Sequence, residues 1–261
     1  MSKKSPIALT AAASDPHRLY ELSVQDPETE VSNIDAIFRS RRDARPLSLR
    51  EDFCGTAKLS TEWVQSHPAR TAVGLDIDPE VLSWARENNI SGLGSDRKRI
   101  KLLNRDVLKG NGRADVVVAL NFSYWVFHDR PTLVRYFRSV RRGLSEDGVF
   151  IINLHGGPEA QTKLRERTAF DGFTYVWDQG EFDPISNRAE CCIHFRFPDG
   201  TAIERAFVYD WRIWSLPELR DAMNDAGFSA VDVWWEDGDT PRLTKSCENK
   251  ESWLAHLAAW R

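Results

Sequence analysis

What the chain has little of narrows its class first. Only four of its 261 residues are cysteine, at positions 54, 191, 192 and 247. Cys191 and Cys192 are adjacent and so point to opposite faces of a strand, and no pair has zinc-ligand spacing. Reduced thiols are expected, as in a cytoplasmic protein. The opening MSKKSPIALTAAAS lacks a sustained apolar segment, so neither a secretory leader nor a membrane span is expected. No charge sign dominates: 35 Lys and Arg face 39 Asp and Glu, a formal net charge of −4. A predominantly basic face for nucleic acid is therefore not signalled, although Arg135, Arg138, Arg141 and Arg142 recur on one helix. Carboxylates are not clustered as a metal would require. Asp76 and Asp78 belong to one loop, and Asp237 with Asp239 reads as a polar surface turn, so metal-free chemistry is expected. Tryptophan is the residue in surplus, with ten, several late in the chain.

The length suits one elaborated domain at least as well as two. Residues 1–15 read as a loose tail, and helical spacing at Leu19, Leu22, Ile34, Ile37 and Phe38 predicts two short helices before Arg42. Strands are predicted at Leu47–Phe53, Thr71–Asp76, Ile100–Leu103, Asp115–Leu120 and Val149–Leu154, alternating with helices after Thr56, Pro79 and Pro131. The unbroken apolar run of DVVVAL is that of a strand buried on both faces. The alternation implies right-handed crossovers and a parallel sheet. Antiparallel strands then follow at Tyr175–Asp178, Arg188–Phe197 and Thr201–Tyr209. Ser215-Leu216-Pro217-Glu218 opens another helix, and strands six and seven fall at Ala230–Trp235 and Trp253–Trp260. The expected fold is α/β: a Rossmann-like, doubly wound, mostly parallel seven-stranded sheet with an inserted antiparallel hairpin region. Its expected divisions are a helical cap at 1–45, a core at 46–160, an insert or substrate lid at 161–214 and the rest of the core at 215–261.

In an open parallel sheet, ligands bind outside the carboxyl ends of the strands. There Gly55 lets a backbone approach a ligand, and Cys54, Thr56 and Ala57 keep the turn narrow. Asp76 is placed to accept hydrogen bonds from a ribose diol. Asp106, ending strand three, suits an adenine amino group or a neighbouring backbone, and Asn121 ends strand four on the same edge. Phe53 stands where a pyrophosphate-binding turn wants glycine, which argues against a dinucleotide.

These residues resemble the class I S-adenosylmethionine-dependent methyltransferases over roughly Leu47–Leu154, with Leu216–Arg261 compatible as the remaining helix and strands. The family's acidic-x-Gly-x-Gly-x-Gly loop corresponds to Glu51-Asp52-Phe53-Cys54-Gly55-Thr56-Ala57, in which the acidic start and central glycine are kept and both outer glycines are replaced. The resemblance implies S-adenosyl-L-methionine as cofactor. It puts the ribose carboxylate at Asp76, the methionine moiety near Glu51–Cys54 and the adenine near Ile77, Asp106 and Val107. Glu51, Phe53, Cys54, Gly55, Thr56, Asp76, Ile77, Asp106, Val107 and Asn121 form the expected cofactor set. Glu51 has an alternative use, holding a nearby loop or the N-terminal helices by hydrogen bonds.

For chemistry, Asn121-Phe122-Ser123-Tyr124-Trp125 offers an amide, two hydroxyls and large rings. Tyr124 or Asn121 is the first choice for positioning an acceptor. His155, after strand five, is a candidate general base and His128 a weaker one. Tyr209 and Trp211 lie on one face of the insert with Arg212 beside them, either as substrate contacts with Trp125 or as a small hydrophobic core. The insert is similar to the lid of small-molecule N- and O-methyltransferases, implying a small-molecule acceptor. Strand four lacks the Asn-Pro-Pro-aromatic tetrapeptide that would favour methylation of a flipped base. The alternatives are a nucleic-acid or protein methyltransferase and a non-catalytic adenine-nucleoside-binding regulator. A homodimer is compatible with the sequence and not required by it.

Overall fold

The computed structural model describes residues 9–110, 112–236, 238 and 240–261. Asp237 and Asp239 lie outside these residues. The chain divides into two compact units, one of the segment up to Gln25 with Gln161–Ile213, the other of Asp26–Ala160 with Trp214–Arg261.

Helix α1 (Pro16–Val24) belongs to the smaller unit; the larger contains α2 (Pro27–Arg39), then β1 (Ser48–Asp52), α3 (Lys58–Gln65), β2 (Thr71–Asp76), α4 (Pro79–Ala85) and β3 (Ile100–Asn104). There follow β4 (Ala114–Ala119), α5 (Arg130–Arg142) and β5 (Leu144–Gly156). The chain returns to this unit with α6 (Leu216–Ala226), β10 (Ala230–Trp235), β11 (Arg242–Thr244) and β12 (Trp253–Trp260). Its sheet has the order β11-β10-β12-β5-β4-β1-β2-β3. Pairing is parallel from β3 to β5 and antiparallel for β12, β10 and β11. Eight strands stand where seven were expected. The addition, β11, is a three-residue edge strand too short to show alternation. The order turns outward in both directions from the β1–β4 pair, so the open crevice of a doubly wound sheet falls there.

Local chemistry starts most of the helices. Asp26, Asp78 and Asp129 cap α2, α4 and α5 through their side chains, each with proline in the first turn, and Ser215 with Glu218 forms a capping box on α6. Each such cap contributes about 1 kcal/mol. Helix α3 is the exception: Ala57 precedes it and makes no side-chain cap. The core packs Ile34, Ile37 and Phe38 of α2 and Trp63 of α3 against Leu49, Val116, Val118, Ile151 and Trp260. On the other face of β1, Arg50 is buried and gives a bidentate pair to Asp52, with both contacts at 2.9 Å. The Tyr136 hydroxyl donates to the same carboxylate at 2.9 Å.

The smaller unit joins α1 (Pro16–Val24) to the four-stranded antiparallel sheet β6 (Leu164–Phe170), β7 (Phe173–Gln179), β8 (Arg188–Arg196) and β9 (Ala202–Arg212). It is a full sheet rather than a hairpin. The unexpected β6, LRERTAF, has no buried residue and therefore no apolar alternation to reveal it. Leu19 of α1 clusters with Phe173, Ile193, Phe195 and Phe197, and the Tyr20 and Phe207 ring centroids lie 5.0 Å apart. The two N-terminal helices thus fall in different units. Within the segment read as a loose tail, Ala11–Ala13 is a single 3-10 turn, and the Ala11 amide donates to Thr201 Oγ1 at 2.9 Å.

Candidate active site

β1 leads into a turn whose backbone carries the site. Phe53, Gly55 and Ala57 have φ of 59°, 50° and 55°, so the left-handed conformation stands at all three positions of the glycine pattern, two of them held by other residues. Each non-glycine residue so placed costs about 1–2 kcal/mol, a load tolerated where surrounding structure fixes the chain. Phe53 is fixed by its ring, 5.9 Å from both Phe127 and Tyr136. Ala57 is buried and its amide donates to Cys54 O at 2.7 Å. Beneath the turn, Gly74 is required because a Cβ there would stand 2.7 Å from Cys54 Sγ. Above Gly55 the space is open, with nothing within 4 Å of where a Cβ would be.

Glu51 supplies the cap that α3 lacks. Its Oε2 accepts from the Ser60 amide at 3.0 Å and the Ser60 hydroxyl at 2.5 Å. This sets the Glu51 carboxylate at the positive end of α3, a helix rather than a loop or the N-terminal helices. Burial, offset by the Ser60 bonds and reinforced by Asp76 and Asp52, pushes its carboxyl up to about 7. Ser60 was not anticipated. The absence of Ser, Thr, Asp or Asn just before Lys58 is the signal that a cap must come from elsewhere.

Asp76 closes the turn from β2. Its Oδ2 accepts from the Gly55 amide at 2.8 Å and Oδ1 from the Asp78 amide at 3.0 Å. A carboxylate has about four lone-pair sites, so each oxygen keeps room for a ribose hydroxyl. Asn104 pins the adjoining backbone, donating to Ile77 O at 2.7 Å, and Asn89 donates to Thr56 O at 2.9 Å. Neither asparagine was anticipated. The Ile77 side chain is 73% exposed beside Asp76, an apolar face available to a base. Asp106 caps the turn Val107–Lys109 by accepting from the Leu108 amide at 2.9 Å. The side chains of Cys54, Thr56 and Val107 are buried, so they shape the turn and present little surface to a ligand.

The loop after β4 differs from its expectation. Asn121 and Phe122 have φ of 52° and 58°, and the next four residues form a 3-10 turn. Tyr124 is fully buried and its hydroxyl donates to Asn153 O at 3.0 Å, while the Ser123 hydroxyl donates to Leu120 O at 2.8 Å. Both hydroxyls therefore fasten the loop, and Tyr124 is a packing residue instead of an acceptor contact. Trp125 is likewise buried, stacked on Phe122 with centroids 5.1 Å apart. Asn153, unforeseen, joins β5 to this loop by accepting from the Phe122 amide at 3.3 Å. His155 is partly exposed near the end of β5, 3.2 Å from Ser252 Oγ. Burial holds its pKa below the usual histidine value, against the opposing charge of Glu159.

Tyr209, Trp211 and Arg212 belong to the smaller unit. Trp211 is buried, and the Tyr209 and Trp211 rings stack at 4.4 Å, with Trp177 5.8 Å from Trp211. Packing within their own sheet accounts for both rings.

The turn after β1 and the carboxylate ending β2 thus meet at the break in strand order of an α/β core. A family model described as a methyltransferase domain matches residues 54–150. No curated protein matches the chain in sequence. Among solved structures, an S-adenosylmethionine-dependent methyltransferase from Clostridium acetobutylicum is similar at 17% identity, covering 92% of this chain and 96% of its own, with a TM-score of 0.71. The S-adenosylmethionine-bound aminopentose methyltransferase CalS10 from Micromonospora echinaspora is 14% identical over 99% of this chain and 100% of its own, with a TM-score of 0.68. The sugar N-methyltransferase KedS8 from Streptoalloteichus is 19% identical over 100% and 97%, with a TM-score of 0.65. At these identities the structural likeness establishes the fold, and the family match gives the domain its kind. Residues 54–150 thus match a methyltransferase domain, and the chain has the fold of solved S-adenosylmethionine-dependent methyltransferases.

Proposed function

We propose that the protein methylates a nitrogen or oxygen atom of a small-molecule acceptor. The observation that carries this reading is the convergence of Asp76, the Gly55 turn, Asn121 and His155 on the carboxyl edge of one sheet, at its switch in strand order. S-Adenosylmethionine, proposed as the cofactor, would supply an electrophilic methyl group when bound. Asp76 would hold the ribose, Ile77 and Asp106 would flank the adenine, and Glu51 fixes the turn at the methionine end. Asn121 orients the acceptor through its amide. His155, neutral above its lowered pKa, takes the proton that the acceptor loses as the new bond forms. Orientation and exclusion of water do the remaining work, because in-line transfer needs no covalent intermediate on the protein.

The test is transfer of a labelled methyl group to pools of small amines, hydroxyl compounds and acids, run beside transfer RNA and protein pools. Label in the small-molecule pools supports the reading. Label confined to RNA or protein replaces it with the polymer alternative. With an acceptor in hand, His155→Gln should lower kcat about 10²–10⁴-fold, the usual contribution of a general base. It should also abolish the fall in rate as pH drops through the lowered His155 pKa; an unchanged profile would remove the proton role.

A further inference from the structure

The formal net charge of −4 conceals a segregation. From Arg97 to Arg142 the chain has twelve Lys and Arg against three Asp and Glu, whereas the remainder has 23 against 36. The fold gathers much of that excess on one face of the larger unit. Lys101 of the edge strand β3 pairs with Val73 of β2, and Val73 with Arg50 of β1, so all three share one face of the sheet. It is the face that carries α5, because Tyr136 bonds to Asp52, two residues beyond Arg50. The chain leaving β3 is laid against that helix. Arg105 donates to Gly110 O at 3.1 Å, a Cβ on Gly110 would stand 2.9 Å from Ser139 Oγ, and the Ala114 amide donates to Gly143 O at 2.9 Å. Arg113 and Arg142, each one residue before that last pair, therefore share one end of the face. Arg135 lies two helical turns before Arg142 on the same side of α5, with the buried Ser139 between them.

Lys101, Arg105, Lys109, Arg113, Arg135 and Arg142 are all exposed, and among the described residues none is paired with a carboxylate. Arg18, Arg41 and Arg205, by contrast, are held by Glu21, Asp232 and Glu190. The three acids of the segment are turned to backbone amides: Asp106 accepts from Leu108, Asp115 from Leu47 and Ser48, and Asp129 caps the far end of α5. The face also lacks what a protein partner or a single strand would use. Among the described residues, no exposed large apolar side chain falls between Arg97 and Arg113 or on α5, and the α5 rings Tyr136 and Phe137 are buried. Protein interfaces anchor on aromatic and apolar groups, and single strands stack their bases on exposed rings. Arginine-rich charge without either fits phosphates on a duplex. We propose that this face docks double-stranded nucleic acid through its phosphates, without reading sequence. Arg135 and Arg142 alone are about 10 Å apart along α5, roughly three phosphate steps of one strand. The proposal is independent of the acceptor reading: Arg113 and Arg142 lie at the amino ends of β4 and β5, whereas Asn121 and His155 lie at their carboxyl ends.

Fluorescence anisotropy with the full chain tests it, using short labelled DNA and RNA duplexes, their single strands and a polyglutamate peptide. Six contacted phosphates predict a log–log salt slope of about −5, so duplex affinity should fall roughly 10³-fold between about 50 and 200 mM salt. Arg113→Gln/Arg135→Gln/Arg142→Gln should halve that slope, to about −2.5, and leave a fall of roughly 30-fold. Arg18→Gln/Arg41→Gln/Arg205→Gln removes the same charge from carboxylate-paired positions and should keep the wild-type slope. If the first variant does not fold, Lys109→Gln/Arg113→Gln decides, with a slope shallower by about 2. Binding of either duplex with these slopes supports the proposal, and the tighter one names the nucleic acid. An equal change in both triple variants would show bulk charge instead of a face and overturn it. So would absence of duplex binding at about 50 mM salt, tighter binding of the single strands, or tighter binding of polyglutamate, which would assign an acidic protein.

Discussion

The two halves of the crevice are built by opposite means. At the ends of β1 and β2, carboxylates hold backbone amides: Glu51 caps α3 through Ser60, and Asp76 ties Gly55 to the β2 loop. At the ends of β4 and β5, side chains fasten onto carbonyls and rings pack on rings, as Tyr124 does on Asn153 and Trp125 on Phe122. Carboxylates that hold amides can still accept bonds from a ligand, so under the proposed function the first half combines scaffold and binding in the same residues. Hydroxyls donated to carbonyls have no second proton to give, so the second half leaves contact to Asn121 and His155.

The comparison can be broken most severely beneath both halves. Asp52→Ala leaves Arg50 buried without its bidentate partner and removes the Tyr136 bond; loss of one member of a buried pair costs about 3–5 kcal/mol. Urea unfolding should show that loss, with cofactor affinity and transfer falling together. A loss below about 1 kcal/mol would show that the network is not a shared support.

A smaller, pH-dependent effect is expected on the antiparallel side of the sheet. Buried His256 lies 3.5 Å from Glu30 and 3.3 Å from Glu236. Burial pulls its pKa down, but the nearby carboxylates of Glu30 and Glu236 outweigh it, leaving the net shift upward. A raised folded pKa gives stability that is complete below the unfolded value near 6.5 and is lost as pH rises through the folded pKa. The Glu236 pKa is also raised, chiefly by burial, and acts in the same direction. Thermal melts of wild type should therefore decline above about pH 6.5 more steeply than those of His256→Gln. Parallel curves would remove the charged bridge.

The smallest effect sharpens the contrast at the acceptor half. Tyr124→Phe deletes one buried hydrogen bond, worth about 1 kcal/mol, and should lower the melting temperature by about 2–4 °C. Transfer, assayed well below that temperature, should be nearly unchanged. A large fall in kcat at unchanged cofactor affinity would return the hydroxyl to the acceptor.

This contrast also explains what the sequence could show. The VVV run of β4 and the carboxylate closing β2 are patterned by burial and position, so the parallel sheet and Asp76 are legible. The replaced outer glycines are not, because residue type alone suggests a lost conformation while ring packing and burial preserve it at Phe53 and Ala57. Tyr124 is illegible for another reason: loop periodicity does not say which side of a loop turns inward. β6 hides behind an exposed LRERTAF, and the Glu51–Ser60 cap spans nine residues, beyond any local capping pattern.

The central claim is that Asp76 both closes the turn and holds the cofactor ribose. Calorimetry with S-adenosylmethionine, S-adenosylhomocysteine and NAD, on wild type and Asp76→Ala, tests it most directly. The first two should bind wild type selectively over NAD, and the variant should bind them about 10–100-fold more weakly, the loss of one or two charged hydrogen bonds, while remaining folded. Undiminished binding in the variant, or preference for NAD, would contradict it.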